Sequence, residues 1–180
     1  MKLRLLPLFA ALLCATLAST AQEKSVRPGI NDPFKEPEVA DFIKKFEGES
    51  REIAARAKEI ATACQIKPGM TIADVGAGTG LFTRIFAGEV GEKGKVLAVE
   101  IAPAFLRHIE KTCEEAKLKN VETIRCDQFS TKLPKNSVDL VFVCDTYHHF
   151  EFPQRTLQSI RDALRPGGRL IVIDFHRIEG

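Results

Sequence analysis

Thr71-Ile72-Ala73-Asp74-Val75-Gly76-Ala77-Gly78-Thr79-Gly80 is the stretch that decides the fold. Thr71 to Val75 is apolar and β-favouring, and Pro68-Gly69 punctuates its start. The run ends on an acid and breaks into three glycines. After Gly80 the apolar residues Leu81, Phe82, Ile85 and Phe86 recur at helical spacing. Strand, glycine turn and helix in that order form the first half of a βαβ unit. Glycine permits positive φ and lets a ligand approach closely. The helix behind it offers unpaired N–H groups and the positive end of its dipole.

The glycine spacing narrows the ligand. A dinucleotide fingerprint reads G-x-G-x-x-G, with pyrophosphate on the helix N-terminus. Here the spacing is G-x-G-x-G, and Asp74 stands two residues before Gly76. An acid there repels pyrophosphate and suits a ligand carrying an ammonium group.

Working outward, Lys95 to Glu100 reads as a second strand closed by an acid, 20 residues past Gly80. A carboxylate at that distance is placed to accept both hydroxyl hydrogens of a ribose diol. Ala102 to Lys117 is an amphipathic helix with Pro103 in its first turn. Asn120 to Asp127 is a third strand, and Ser137 to Cys144 a fourth, apolar enough for burial on both faces. The fourth delivers Asp145-Thr146-Tyr147-His148-His149-Phe150 to the carboxyl edge, where open α/β sheets bind ligands. Pro153 opens another helix, Arg165-Pro166-Gly167-Gly168 ends it, and Arg169 to Phe175 is a fifth strand.

These motifs resemble those of class I S-adenosylmethionine-dependent methyltransferases. Asp74 with the glycine loop is similar to that family's first motif, and Leu164-Arg165-Pro166-Gly167-Gly168-Arg169-Leu170 to the turn before its fifth strand. The resemblance implies an α/β fold: a Rossmann-like, doubly wound parallel sheet of five strands in the order 3-2-1-4-5, with N-terminal helices. The family fold continues with two more strands, so the domain is expected to be incomplete at its C-terminus here, the sequence being either a fragment or a truncated form. The implied cofactor is S-adenosylmethionine, held by Asp74, Gly76, Ala77, Gly78, Gly80, Glu100, Ile101, Asp127 and Gln128. Asp127 would face the adenine amino group; the alternative is that it starts a turn. The implied activity is methyl transfer to an unidentified acceptor, with a small molecule expected. The resemblance extends to the branch containing quinone-biosynthesis and arsenite methyltransferases, without the cysteine constellation that arsenic would need.

Asp145, Tyr147, His148 and His149 are the catalytic candidates, with Asp174 and His176 converging from the fifth strand. An imidazole titrates near neutrality and suits a general base. His148, His149, His176 and a carboxylate could alternatively hold a metal. However, adjacent strand residues point oppositely, so no metal site is expected. A nicotinamide-dependent oxidoreductase and a non-catalytic S-adenosylmethionine-binding module are the competing classes.

Composition sets outer bounds. The 180 residues, 44% hydrophobic and 28% charged, suit one globular domain. Residues 1–21 read as a secretory signal: Lys2 and Arg4, an apolar run from Leu5 to Ala18, then small residues. This predicts export, or membrane anchoring if the leader is kept. Without Lys2 and Arg4, 24 basic residues face 24 acidic ones, which gives no nucleic-acid surface. Residues 22–37 read as an exposed linker or arm, and 38–180 as the methyltransferase domain, beginning with helices divided near Gly48. Cys64, Cys113, Cys126 and Cys144 are expected to be free. In the implied strand order Cys126 and Cys144 lie three strands apart, roughly 14 Å, beyond the ~7 Å reach of a disulfide.

Overall fold

The computed structural model describes residues 22–48 and 51–175. The leader-like residues 1–21 and His176 lie outside the described residues. Five parallel strands form one sheet in the order β3-β2-β1-β4-β5. They are β1 (Thr71–Val75), β2 (Lys95–Glu100), β3 (Val121–Arg125), β4 (Val138–Cys144) and β5 (Leu164–Ile173). This is the strand order that the family resemblance implied. The order reverses between β1 and β4, so the loops leaving these two strands diverge and open a crevice at the carboxyl edge.

Alternation along the strands loads both faces. Ile72, Val96, Leu140 and Phe142 pack with Phe82, Phe86 and Val90 of α4 (Leu81–Val90) and Ala57 and Ala61 of α3 (Ala57–Ala63). Ala98 meets Ile109 and Cys113 of α5 (Pro103–Glu115). On the opposite face Ala73, Val75, Val99, Val141 and Val143 pack with Ile160 and Ala163 of α6 (Pro153–Ala163). Two further helices precede these: α1 (Val39–Glu47), ended at Gly48, and α2 (Glu52–Ala55). Arg56 bridges Glu52 one helical turn back at 3.2 Å, the pairing that the spacing predicts. No helix among the described residues is long and apolar enough to cross a membrane.

Two strand boundaries and the docking of the arm differ from the sequence expectation. Strand β3 stops at Arg125, so Asp127 lies beyond it, bridged to Ser130 in a tight turn. Strand β5 starts at Leu164, because Leu164 already pairs with Val138 before an irregularity that readmits pairing at Arg169. Residues 22–37 are an arm, and a docked one. Val26 N–H donates to the Glu151 carbonyl at 2.9 Å, and Asn31 Nδ2 to the His149 carbonyl at 3.0 Å. Pro37 is buried. The four cysteines are free, as expected.

Phe142 fixes the centre of the larger core cluster. It is fully buried, with ring centroids 4.8 Å from Phe82 and 4.9 Å from Phe86. Phe142→Ala is expected to cost about 3–5 kcal/mol, read as a lower urea midpoint at unchanged denaturant slope.

Candidate functional site

The glycine bend follows directly from β1. Gly76 N–H and Ala77 N–H both donate to the Val99 carbonyl, at 2.8 and 3.2 Å, which folds the loop back onto β2. Gly76, Gly78 and Gly80 have φ of 74°, 54° and 83°. At Gly76 a Cβ would also overlap the Thr146 side chain from the loop after β4. Gly80 caps α4, and its absent Cβ leaves room for Ile109. It does not line the cavity, so its role is to shape the bend.

Two acids lie behind this bend. Asp74, at 3% exposure, accepts from Thr83 Oγ1 at 2.6 Å. Burial raises its pKa to about 6, the Thr83 bond opposes the rise, and the nearby Glu100 adds to it. Glu100, at 6% exposure, takes three backbone donors: Gly78 N–H at 2.9 Å, Ile101 N–H at 2.7 Å and Ala102 N–H at 3.0 Å. Burial raises the Glu100 pKa as well, against the pull of those three bonds. A carboxylate offers about four lone-pair positions. Glu100 therefore keeps one for a ligand, on the oxygen that Gly78 holds, and gripping a diol through both carboxylate oxygens requires Ile101 or Ala102 N–H to give way.

Asp127 is committed to its turn. Its Oδ1 accepts Phe129 N–H and Ser130 N–H at 2.8 and 2.9 Å, and Lys132 Nζ stands 2.7 Å from Oδ2. The turn-starting alternative therefore describes this carboxylate, although Asp127 and Gln128 do line the cavity beside Ile101.

The cavity holds about 510 Å³. Phe34 of the arm, Phe42 and Phe46 of α1, and Phe105 of α5 form an aromatic wall, with ring centroids 5.1–6.4 Å apart. Two ion pairs brace this roof: Arg84 to Glu47 at 2.7 Å, and Arg51 to Asp145. Cys126 and Cys144 also line the space. Burial, reinforced by Glu100 beside the first and Asp74 beside the second, pushes both thiols up to about 12. They are protonated, and neither is a thiolate nucleophile.

Among the substrate-side candidates, Asp145, His148 and His149 line the cavity, and Tyr147 does not. Tyr147 is 40% exposed and packs on Phe150. The histidines sit in a 3-10 turn, Tyr147–His149, rather than an extended strand. Their rings consequently lie 4.3 Å apart instead of pointing oppositely. His149 packs its ring edge-on to Phe34 at 5.1 Å, and its buried Nδ1 has no hydrogen-bond partner. Burial, then the neighbouring His148, lowers the His149 pKa, so this ring is neutral near pH 7. Asp145, His148 and Asp174 have potential ligand atoms within 4.8 Å of one another. Arg51 already neutralises Asp145, and His148 is bonded to Asp174.

Sequence reading missed Thr83, Thr146, Arg51 and the phenylalanine wall. Thr83 carried one legible signal, a small polar residue inside the apolar run Leu81 to Phe86. The others depend on tertiary placement.

A family model described as a methyltransferase domain matches residues 73–172. The chain belongs to the methyltransferase domain family. Within that family it is 29% identical over 113 residues to the ubiquinone/menaquinone biosynthesis C-methyltransferase UbiE of Ectopseudomonas mendocina. That match covers 62% of this chain and 44% of the relative. The Salmonella arizonae protein of the same name is 30% identical, with 62% and 45% covered. The chain thus spans less than half the length of these curated relatives. A SAM-dependent methyltransferase structure from Aquifex aeolicus is 29% identical and superposes with a TM-score of 0.70, over 81% of this chain and 78% of the other. S-adenosylmethionine, the cofactor implied by these likenesses, carries a sulfonium and an ammonium group. The donor set fits it: two buried acids and a glycine bend offer negative charge with no side chain in the way.

Asp74 makes the pH dependence of this methyltransferase domain testable. Its folded pKa of about 6 lies above the 3.8 of a free carboxyl, so the folded chain holds that proton more tightly. The stability it contributes is full below about pH 4 and is lost as pH rises through about 6. In urea unfolding between pH 4 and pH 7, wild type should lose up to about 3 kcal/mol more than Asp74→Asn.

Proposed function

We propose that this domain transfers a methyl group from S-adenosylmethionine to a small-molecule acceptor. The observation that carries the reading is the pair of almost fully buried acids, Asp74 and Glu100, behind a glycine bend. Burying two carboxylates in one apolar site is costly unless a cation compensates them. A pyrophosphate would worsen that repulsion, whereas a sulfonium nucleoside with an amino-acid tail relieves it. The bound cofactor supplies an activated methyl carbon; the residues of this chain supply orientation and the exclusion of water.

In this reading Asp74, the Gly76–Gly78 bend, Glu100, Ile101 and Gln128 hold the cofactor. The phenylalanine wall keeps water out, and Asp145, His148 and His149 face the acceptor. An aromatic wall suits a ring-shaped acceptor, in keeping with the quinone-biosynthesis names of the relatives. The proposal includes export, on the strength of the leader-like residues 1–21.

Calorimetric titration with S-adenosylmethionine, its demethylated product and nicotinamide dinucleotide provides the test. The first two should bind and the dinucleotide should not. Glu100→Gln removes one charge while preserving shape, and should weaken S-adenosylmethionine binding by roughly 1.5–3 kcal/mol. Saturation by the dinucleotide, with no heat from S-adenosylmethionine, would sink the reading.

A further inference from the structure

One acid–base pair is left over by the cofactor reading: His148 lines the cavity, and its partner Asp174 does not. Asp174 follows β5, and His148 lies in the turn after the neighbouring β4. His148 Nδ1 is 2.9 Å from Asp174 Oδ1 and 3.0 Å from Oδ2, and the His148 backbone N–H donates to Oδ2 at 3.2 Å. The carboxylate thus clamps both the ring and the main chain of the same residue. Burial pushes the Asp174 pKa upward, but the bonds from the His148 ring and the backbone N–H groups of Phe175 and His148 outweigh it. The net pKa lies below the ordinary range, so Asp174 is ionised and can only accept hydrogen bonds. Nδ1 must therefore carry a proton, which makes Nε2 the only ring nitrogen that can accept one. Behind the ring, Phe175 packs edge-on at 5.0 Å.

The rest of the wall selects the partner. Phe34, Phe42, Phe46 and Phe105 are apolar, His149 is neutral, and Arg51 is neutralised by Asp145. Among the described lining residues Arg51 is paired, and Lys45 is exposed with its ammonium over the Phe42 ring at 5.6 Å, so the lining favours an uncharged partner. An uncharged ring with an acidic hydrogen matches this combination.

We propose that His148 is the proton acceptor of the methyl transfer, that Asp174 is its positioning residue, and that the acceptor is an uncharged hydroxylated aromatic molecule methylated on oxygen. The inference rests on the methyl-transfer reading above. The hydroxyl proton passes to Nε2 as an oxygen lone pair forms the bond to the methyl carbon. The carbon–sulfur bond breaks with its electron pair staying on sulfur. The imidazolium, stabilised by Asp174, then returns its proton to water.

Two measurements on the full chain test this. Histidine-labelled ¹⁵N spectra, with His148 assigned through H148Q, should show the Nδ1–H tautomer in wild type and a shift toward Nε2–H in D174N. Wild type in the Nε2–H form overturns the role of Asp174. Labelled methyl transfer is then followed to matched panels of phenols, anilines and benzoates. Product is expected from phenols alone, falling roughly 10²–10⁴-fold in H148Q and by a smaller factor in D174N. Calorimetric affinity for S-adenosylmethionine should stay unchanged in both variants. Label in anilines or benzoates instead, label in none of the phenols, or an unchanged phenol rate in H148Q overturns the acceptor and base assignment. Failure of wild type to bind S-adenosylmethionine sinks the methyl-transfer reading instead, and the tautomer measurement still decides the role of Asp174.

Discussion

The bond from Gly78 N–H to Glu100 is the constraint on which the site depends. It ties the loop after β1 to the end of β2 through a charged acceptor removed from water. A charge-assisted hydrogen bond in such surroundings is worth about twice a neutral one, and breaking it would strand a buried carboxylate. The bend is therefore held open before any ligand arrives. Ile101 and Ala102 donate to the other oxygen of the same carboxylate, so the start of α5 is set by the same group. Two loops and a helix take their positions from one side chain.

The roof is held differently. Helix α1 has no buried residue of its own. It reaches the site through Phe42 and Phe46, and through Glu47, which pairs with Arg84. The arm adds Phe34 and hydrogen bonds to the carbonyls of His149 and Glu151. These contacts are fewer and more exposed than those below the sheet. Floor and roof therefore differ in kind: one is a close-packed core, the other a set of aromatic and ionic contacts that a ligand can compete with.

The parts legible in the sequence were those encoded locally. Strands β1 and β2 were bounded correctly because each ends at an acid followed by a sharp change of period, at Asp74-Val75 and at Glu100. The strand order came from resemblance, since residue patterning alone does not choose among parallel arrangements. Strand β3 was carried two residues too far because an acid after an apolar strand reads the same whether it faces a ligand or closes a turn; Asp127 takes the Phe129 N–H and Lys132 in its turn and also lines the cavity. The docking of residues 22–37 was hidden for a related reason. Their hydrogen bonds run to residues 148–154, more than 115 positions away, and polar composition alone resembles solvated chain. The histidine pair was read as extended, and the 3-10 turn that brings the two rings together has no strong sequence mark.

Gly76 and Thr146 come from opposite sides of the crevice, and no Cβ fits between them. The loop that shapes one half of the site is therefore moulded against the loop that supplies the other half. Neither can be exchanged as an independent module. A transplanted segment after β4, taken from a relative of different preference, would have to arrive with something no bulkier than threonine at this point, or bring its own glycine bend along.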